Sequence, residues 1–105
     1  MFETGINLSP ETFRGLAPSV QIVDVREPWE YDLARLPRAI LIPLGELAAR
    51  VGELDPTRPV AAYCHHGARS RHGLHILQGA GFRDIAHLAG GIDAYSRMDA
   101  SIPSY

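Results

Sequence analysis

Four short runs, VQIVDV (20–25), AILI (39–42), VAAYC (60–64) and IAHL (85–88), are rich in β-branched or small apolar residues. Each is too short for a helix, and stretches with helical spacing separate them. Ser9-Pro10-Glu11 opens a helix that stops near Gly15 to Pro18: serine can cap it, and proline suits the first helical position. Residues 27–33 read as a loop with a short helical turn. Leu44, Leu47, Ala48 and Val51 place a helix at roughly 44–53. Two more are expected at 69–79, with Leu74 and Leu77 inward, and at 92–98. Apolar strands alternating with helices predict an α/β fold around a mostly parallel, buried sheet. Ligands in such folds bind beyond the carboxyl ends of the strands.

At 105 residues and 46% hydrophobic, the chain suits one domain over 1–105 with a core that needs no staples. One cysteine forms no internal disulfide, which fits a reducing compartment. MFETGINLSPETF lacks the basic and apolar regions of a signal peptide, and no apolar run approaches a membrane span. A cytoplasmic location is therefore expected. The net charge of −2 gives no pull toward nucleic acid. All ten cationic residues are arginine, which excludes Schiff-base and P-loop lysine chemistry.

Residues 63–73, YCHHGARSRHG, hold the one cysteine at a strand end just before a helix. A metal site fits poorly. Cys64, His65 and His66 are consecutive, whereas structural zinc sites use spaced pairs and four ligands. His72, His75 and His87 have no thiolate or carboxylate partner at a known spacing. As a nucleophile Cys64 is better served. The loop HHGA can turn its backbone N–H groups inward as an anion nest, completed by the helix start. Those dipoles, with Arg69 and Arg71, favour a thiolate. The competing reading is a small buried hydrophobe ending a strand. Cysteine phosphatases hold phosphate with Cys-x5-Arg, but Cys64 to Arg69 is Cys-x4-Arg. The smaller ring suits a sulfur atom better than a tetrahedral phosphate.

Three blocks resemble the rhodanese family, specifically its small single-domain sulfurtransferases. DVREPWEY (24–31) is similar to the family's DVRE-x-x-E-[YF] block, YCHHGARS (63–70) to its active-site loop, and LAGGIDAY (88–95) to its LxGG-x-x-A-W block. The resemblance implies a rhodanese-like α/β fold, with a mostly parallel five-stranded sheet flanked by helices on both faces. It implies that Cys64 takes sulfane sulfur from a small anionic donor such as thiosulfate. The persulfide would lie among the backbone amides of His65, His66, Gly67, Ala68, Arg69 and Ser70. The sulfur would pass to cyanide or to a thiol, which could be a protein's. No metal or organic cofactor, nucleic acid or membrane is implied. Two departures stand out. Residues 34–39 are ARLPRA where the family often has GHIPGA, so Arg35 replaces histidine and Arg38 glycine, and Tyr95 replaces tryptophan. If Arg35 or Arg38 faces the pocket, the site favours anionic donors; otherwise both are solvated.

Asp24, Arg26 and Arg35 are possible supporting residues. Asp24 ends an apolar strand and reads as a structural partner of Arg69 or Arg26 rather than an acid of the site. Arg69 either anchors the donor or makes that pair. His65 and His66 are expected to contribute backbone N–H groups, with side chains partly exposed. His72 and His75 read as surface or packing residues, and Trp29 as a packing anchor. Gly90-Gly91 reads as a strand-to-helix turn suited to glycine. Two alternatives remain: a sulfur-carrying or redox-sensing module without turnover, and a cysteine phosphatase or arsenate reductase.

Overall fold

The computed structural model describes residue 2 and residues 6–105; residues 1 and 3–5, part of the stretch read as lacking a leader, lie outside the described residues. The strands are β1 (Asn7–Leu8), β2 (Gln21–Asp24), β3 (Ile40–Leu41), β4 (Val60–Tyr63) and β5 (Ile85–Leu88). The helices are α1 (Pro10–Arg14), α2 (Pro28–Leu33), α3 (Leu44–Arg50), α4 (Ala68–Gly79) and α5 (Gly91–Met98). A 3₁₀ turn over Val51–Glu53 extends α3. The sheet order is β1-β5-β4-β2-β3, and every pairing is parallel. The expected fold class is therefore present, with an all-parallel rather than mostly parallel sheet.

Side chains alternate across the sheet with period two. Ile22, Ala61, Tyr63, Ala86 and Leu88 pack with Phe13 of α1 and with Ile92 and Tyr95 of α5. Val23, Val60, Ala62, Cys64 and Ile85 pack on the opposite face with Leu47 of α3 and with Leu74 and Leu77 of α4. Burial on both faces is why β2, β4 and β5 read as largely apolar runs. Each fully buried Leu or Ile contributes about 1.5–3 kcal/mol relative to exposure.

Several boundaries differ from the sequence expectation. β1 is an additional strand; its two residues, one polar, carry no strand signal. Residues 28–33 form a six-residue helix, started by Pro28 and by the Glu30 carboxylate, which accepts the Glu27 N–H at 3.1 Å. Ser9 caps α1 as expected, accepting the Thr12 N–H at 3.1 Å. Cys64 lies just beyond β4 rather than at its last position.

Arg38 explains one departure from the family pattern. Its φ is +68°, a left-handed conformation that glycine adopts freely and arginine at a cost of about 1–2 kcal/mol. Its guanidinium donates to the carbonyls of Val20 at 3.2 Å and Pro18 at 3.4 Å, at the amino end of β2. Arg38 therefore turns away from Cys64. Arg38→Ala keeps the strained φ and loses these bonds, whereas Arg38→Gly removes the strain. Urea unfolding is expected to find the glycine variant more stable than the alanine variant by about 1 kcal/mol.

Candidate functional site

The chain runs outward from β2 to β3 and returns to lay β4 on the other side of β2. The loops after β2 and β4 diverge there, at the carboxyl ends of the central strands, where open α/β sheets bind ligands. Asp24 and Arg26 come from the first loop, and Cys64 to Ser70 from the second.

Cys64 is 1% exposed, and its Sγ faces the start of α4. It accepts the Gly67 N–H at 3.1 Å and the Ser70 N–H at 3.3 Å. The Ser70 N–H belongs to the first turn of α4, where amides have no intrahelical acceptor. Gly67 caps the helix at φ +115°. Negative charge on this sulfur is met by two amide dipoles and a helix N-terminus.

The loop is held from behind. The Ile92 N–H donates to the Cys64 carbonyl at 2.9 Å, and the Asp93 N–H to the His65 carbonyl at 3.0 Å. These bonds turn both carbonyls toward α5. Gly90 and Gly91, at φ +77° and +64°, make the close approach possible. A Cβ on Gly91 would sit 2.6 Å from the Cys64 carbonyl oxygen and against the His65 carbonyl.

Asp24 pairs with Arg26, not Arg69. Arg26 Nε and Nη2 reach its two oxygens at 2.9 and 2.7 Å, and both side chains are fully buried. Asp24 also accepts the Arg26 N–H at 2.9 Å and the Tyr63 hydroxyl at 2.8 Å. Arg26 further donates to the Ala34 carbonyl and the Tyr105 hydroxyl, both at 2.6 Å. These contacts tie the β2 loop to α2 and to residue 105. Burial, then the charge of Asp24, pushes the Tyr63 phenol well above its usual value.

Arg69 pairs with Glu30 through two bonds, at 2.6 and 2.9 Å, which bolts α4 to α2. Arg69, against the cost of burial, and with the Glu27 N–H and the Tyr105 hydroxyl, holds the Glu30 carboxyl down at about 2. This stabilisation is fully present above the ordinary value of 4.5 and is lost as pH falls from there through about 2. It amounts to something on the order of 3 kcal/mol. Unfolding free energies measured from pH 6 to pH 2 are expected to fall less steeply for Glu30→Gln than for the natural chain.

His65 is half-buried, with its ring stacked on Tyr105 at 4.1 Å and its Nε2 3.0 Å from the Tyr105 carbonyl oxygen. His66 and Ala68 are exposed. His65, His66 and Asp93 bring potential ligand atoms within 4.8 Å of one another, a grouping that the loop sequence does not announce. Arg35 is exposed and lies over the Tyr31 ring at 4.5 Å, on α2. Trp29 is not the packing anchor expected: it is 61% exposed and meets the edge of Tyr105. Trp29 and Leu33 together leave an apolar strip exposed on α2. His72 and His75 are exposed on α4, whereas His87 is buried.

Two residues outside the loop, His87 and Asn7, escape a reading of the loop alone. The Ser70 hydroxyl lies 3.5 Å from Sγ and 2.8 Å from His87 Nδ1, and His87 Nε2 lies 2.8 Å from Asn7 Oδ1. Strand parity carries a signal for His87. It pairs with Ala62, so it shares a sheet face with Ala62 and Cys64.

A lone buried cysteine at the carboxyl end of the central strand, facing helix amides, defines a thiol-bearing parallel α/β domain. A family model described as "Rhodanese-like domain" matches residues 9–98, and the chain belongs to that family. It is 37% identical over 90 residues to a rhodanese-like/PpiC domain-containing chloroplast protein of Arabidopsis thaliana, covering 81% of this chain and 30% of that protein. It is 33% identical over 84 residues to the thiosulfate sulfurtransferase GlpE of Shewanella oneidensis, covering 80% of this chain and 83% of that one. The fold matches a rhodanese-related protein of Thermoplasma volcanium with a TM-score of 0.84 and 24% identity, over 96% and 100% of the two chains. The chain spans less than a third of several curated relatives, at 30% and 25% of their lengths. Among the described residues, no helix is long and apolar enough to cross a membrane.

Proposed function

We propose that the chain is a sulfurtransferase that carries sulfur on Cys64. The observation that supports this most is the pair of amides aimed at the buried Sγ, from Gly67 and Ser70. In the first half-reaction the Cys64 thiolate attacks the outer sulfur of thiosulfate. The sulfur–sulfur bond breaks, and sulfite leaves with its electron pair. The new persulfide carries its negative charge on the outer sulfur, beside the start of α4. In the second half-reaction cyanide or a thiolate attacks that outer sulfur. Thiocyanate or an acceptor persulfide leaves, and the Cys64 thiolate returns. Both steps balance without a metal, a redox cofactor or a general acid.

Arg69 and Arg26 act here as braces, since each already has a carboxylate partner. His65 and His66, within the loop, add polar surface for an anionic donor. Trp29, Leu33 and Tyr105 offer an apolar edge beside it for an acceptor larger than cyanide. The test is thiocyanate formation with thiosulfate and cyanide in large excess. Many equivalents per chain support an enzyme; a single equivalent identifies a carrier. Release of phosphate from an aryl phosphate, without thiocyanate, would overturn the sulfur reading.

A further inference from the structure

The buried hydroxyl and imidazole behind Cys64 form a chain of contacts that the two half-reactions leave unused. Asn7 Oδ1 is an acceptor, so it fixes the proton of His87 on Nε2, 2.8 Å away. His87 Nδ1 then carries a lone pair and faces the Ser70 hydroxyl at 2.8 Å. The single hydroxyl proton of Ser70 points to that nitrogen, a shorter contact than the Gly67 carbonyl at 3.2 Å. The free lone pair of Ser70 Oγ is left to accept the Cys64 S–H at 3.5 Å. Donors and acceptors thus run in one direction from sulfur to imidazole.

We propose that His87 holds the proton of the Cys64 thiol, passed to it through the Ser70 hydroxyl, with Asn7 fixing the tautomer that allows this. The Cys64 S–H bond breaks, and its proton joins Ser70 Oγ. The Ser70 O–H proton moves to His87 Nδ1. The products are a thiolate, an unchanged serine and an imidazolium whose Nε2–H still donates to Asn7. The imidazolium stays one hydroxyl away from the sulfur while that sulfur is anionic. His87 never touches the reacting atoms; it is a positioning and proton-holding residue.

The surroundings fit that role. His87 is 1% exposed. The groups around it are Asn7 from β1, Ser70 and Arg71 from α4, and Gly67 from the loop. Burial, then the charge of Arg71, keeps the imidazole below its ordinary value, so its lone pair is available at neutral pH. β1, two residues long, also gains a purpose, because it sets Asn7 beside His87 in the parallel register.

The inference rests on Cys64 being the nucleophile, not on any sulfur donor. The test is therefore alkylation of Cys64 by iodoacetamide between pH 5 and 10, which can fail while persulfide formation stands. For His87→Asn and Ser70→Ala the rate at pH 7 is expected to fall by at least about tenfold. It should return to the natural rate at high pH, where hydroxide takes the proton. Ser70→Thr keeps the hydroxyl and should restore the pH 7 rate. Asn7→Asp, whose carboxylate accepts only, enforces the same tautomer and should match or exceed the natural rate at pH 7. A rate unchanged at pH 7 in His87→Asn, or lowered by one factor at every pH, would overturn the relay. Loss of the pH 7 rate in Asn7→Asp would overturn the tautomer assignment.

Discussion

Cys64→Ala is expected to reduce sulfur transfer from thiosulfate to cyanide to the uncatalysed background while leaving the fold intact. The two effects separate because the residue has two roles. As a packing group, Cys64 sits with Val25, Ala62 and Leu74 in one core cluster, and the change removes a single heavy atom. That costs about 1 kcal/mol, a small part of a domain's stability. As a reacting group it has no substitute: the chain has one cysteine and no lysine, and the neighbouring Ser70 hydroxyl is already hydrogen-bonded to its surroundings. A serine or alanine sulfur carrier does not exist chemically. Urea unfolding and a thiocyanate assay on the same preparation check both halves. Retained transfer in the alanine variant would return Cys64 to the role of a core residue.

Gly91→Ala is expected to damage stability and transfer together. At φ +64° an alanine costs about 1–2 kcal/mol, before any contact is considered. Its Cβ would also collide with the backbone of His65 and Cys64, which has no flexible end to swing away. Relief requires α5 and the loop to part, and this breaks the bonds from the Ile92 and Asp93 N–H groups. Each is worth about 1 kcal/mol, so the total is about 3–4 kcal/mol. The Cys64 and His65 carbonyls would then lose the restraint that keeps the loop amides turned toward Sγ. Transfer at a temperature where the variant remains folded is expected to fall at least about tenfold, since a misplacement near 1 Å can cost more than that. A folded, fully active Gly91→Ala protein would show that the loop does not depend on α5.

Strands β2, β4 and β5 were legible because both of their faces are buried, so their residues are mostly apolar, with Gln21, Asp24 and His87 as the buried polar exceptions. Ser9-Pro10 announced α1, and Gly90-Gly91 announced the start of α5. β1 was not legible: a two-residue edge strand has no periodicity, and it is defined by its pairing with His87 and Leu88. α2 was underestimated for a related reason. Its residues favour a turn, and the helix is held by side-chain bonds from Arg26 and, from far along the chain, Arg69. Loop composition pointed to Cys64, but partners were a different matter. Asp24 stood near two arginines, and sequence spacing does not say that Arg26 folds back on it while Arg69 crosses to Glu30. His87 was within reach of strand parity, but its sequence suggested only a metal ligand beside His72 and His75, and spacing does not say that Ser70 of the loop meets it. Trp29 was misjudged because large aromatic residues are usually buried, whereas a helix of six residues has too narrow an inner face for it.

The most direct measurement is the intact mass of the protein after brief exposure to thiosulfate, for the natural chain and Cys64→Ala, followed by addition of cyanide. The account predicts a gain of one sulfur atom on the natural chain alone, removed by cyanide as thiocyanate appears. A sulfur atom gained equally by Cys64→Ala, or thiocyanate formed at the same rate by both proteins, would contradict it.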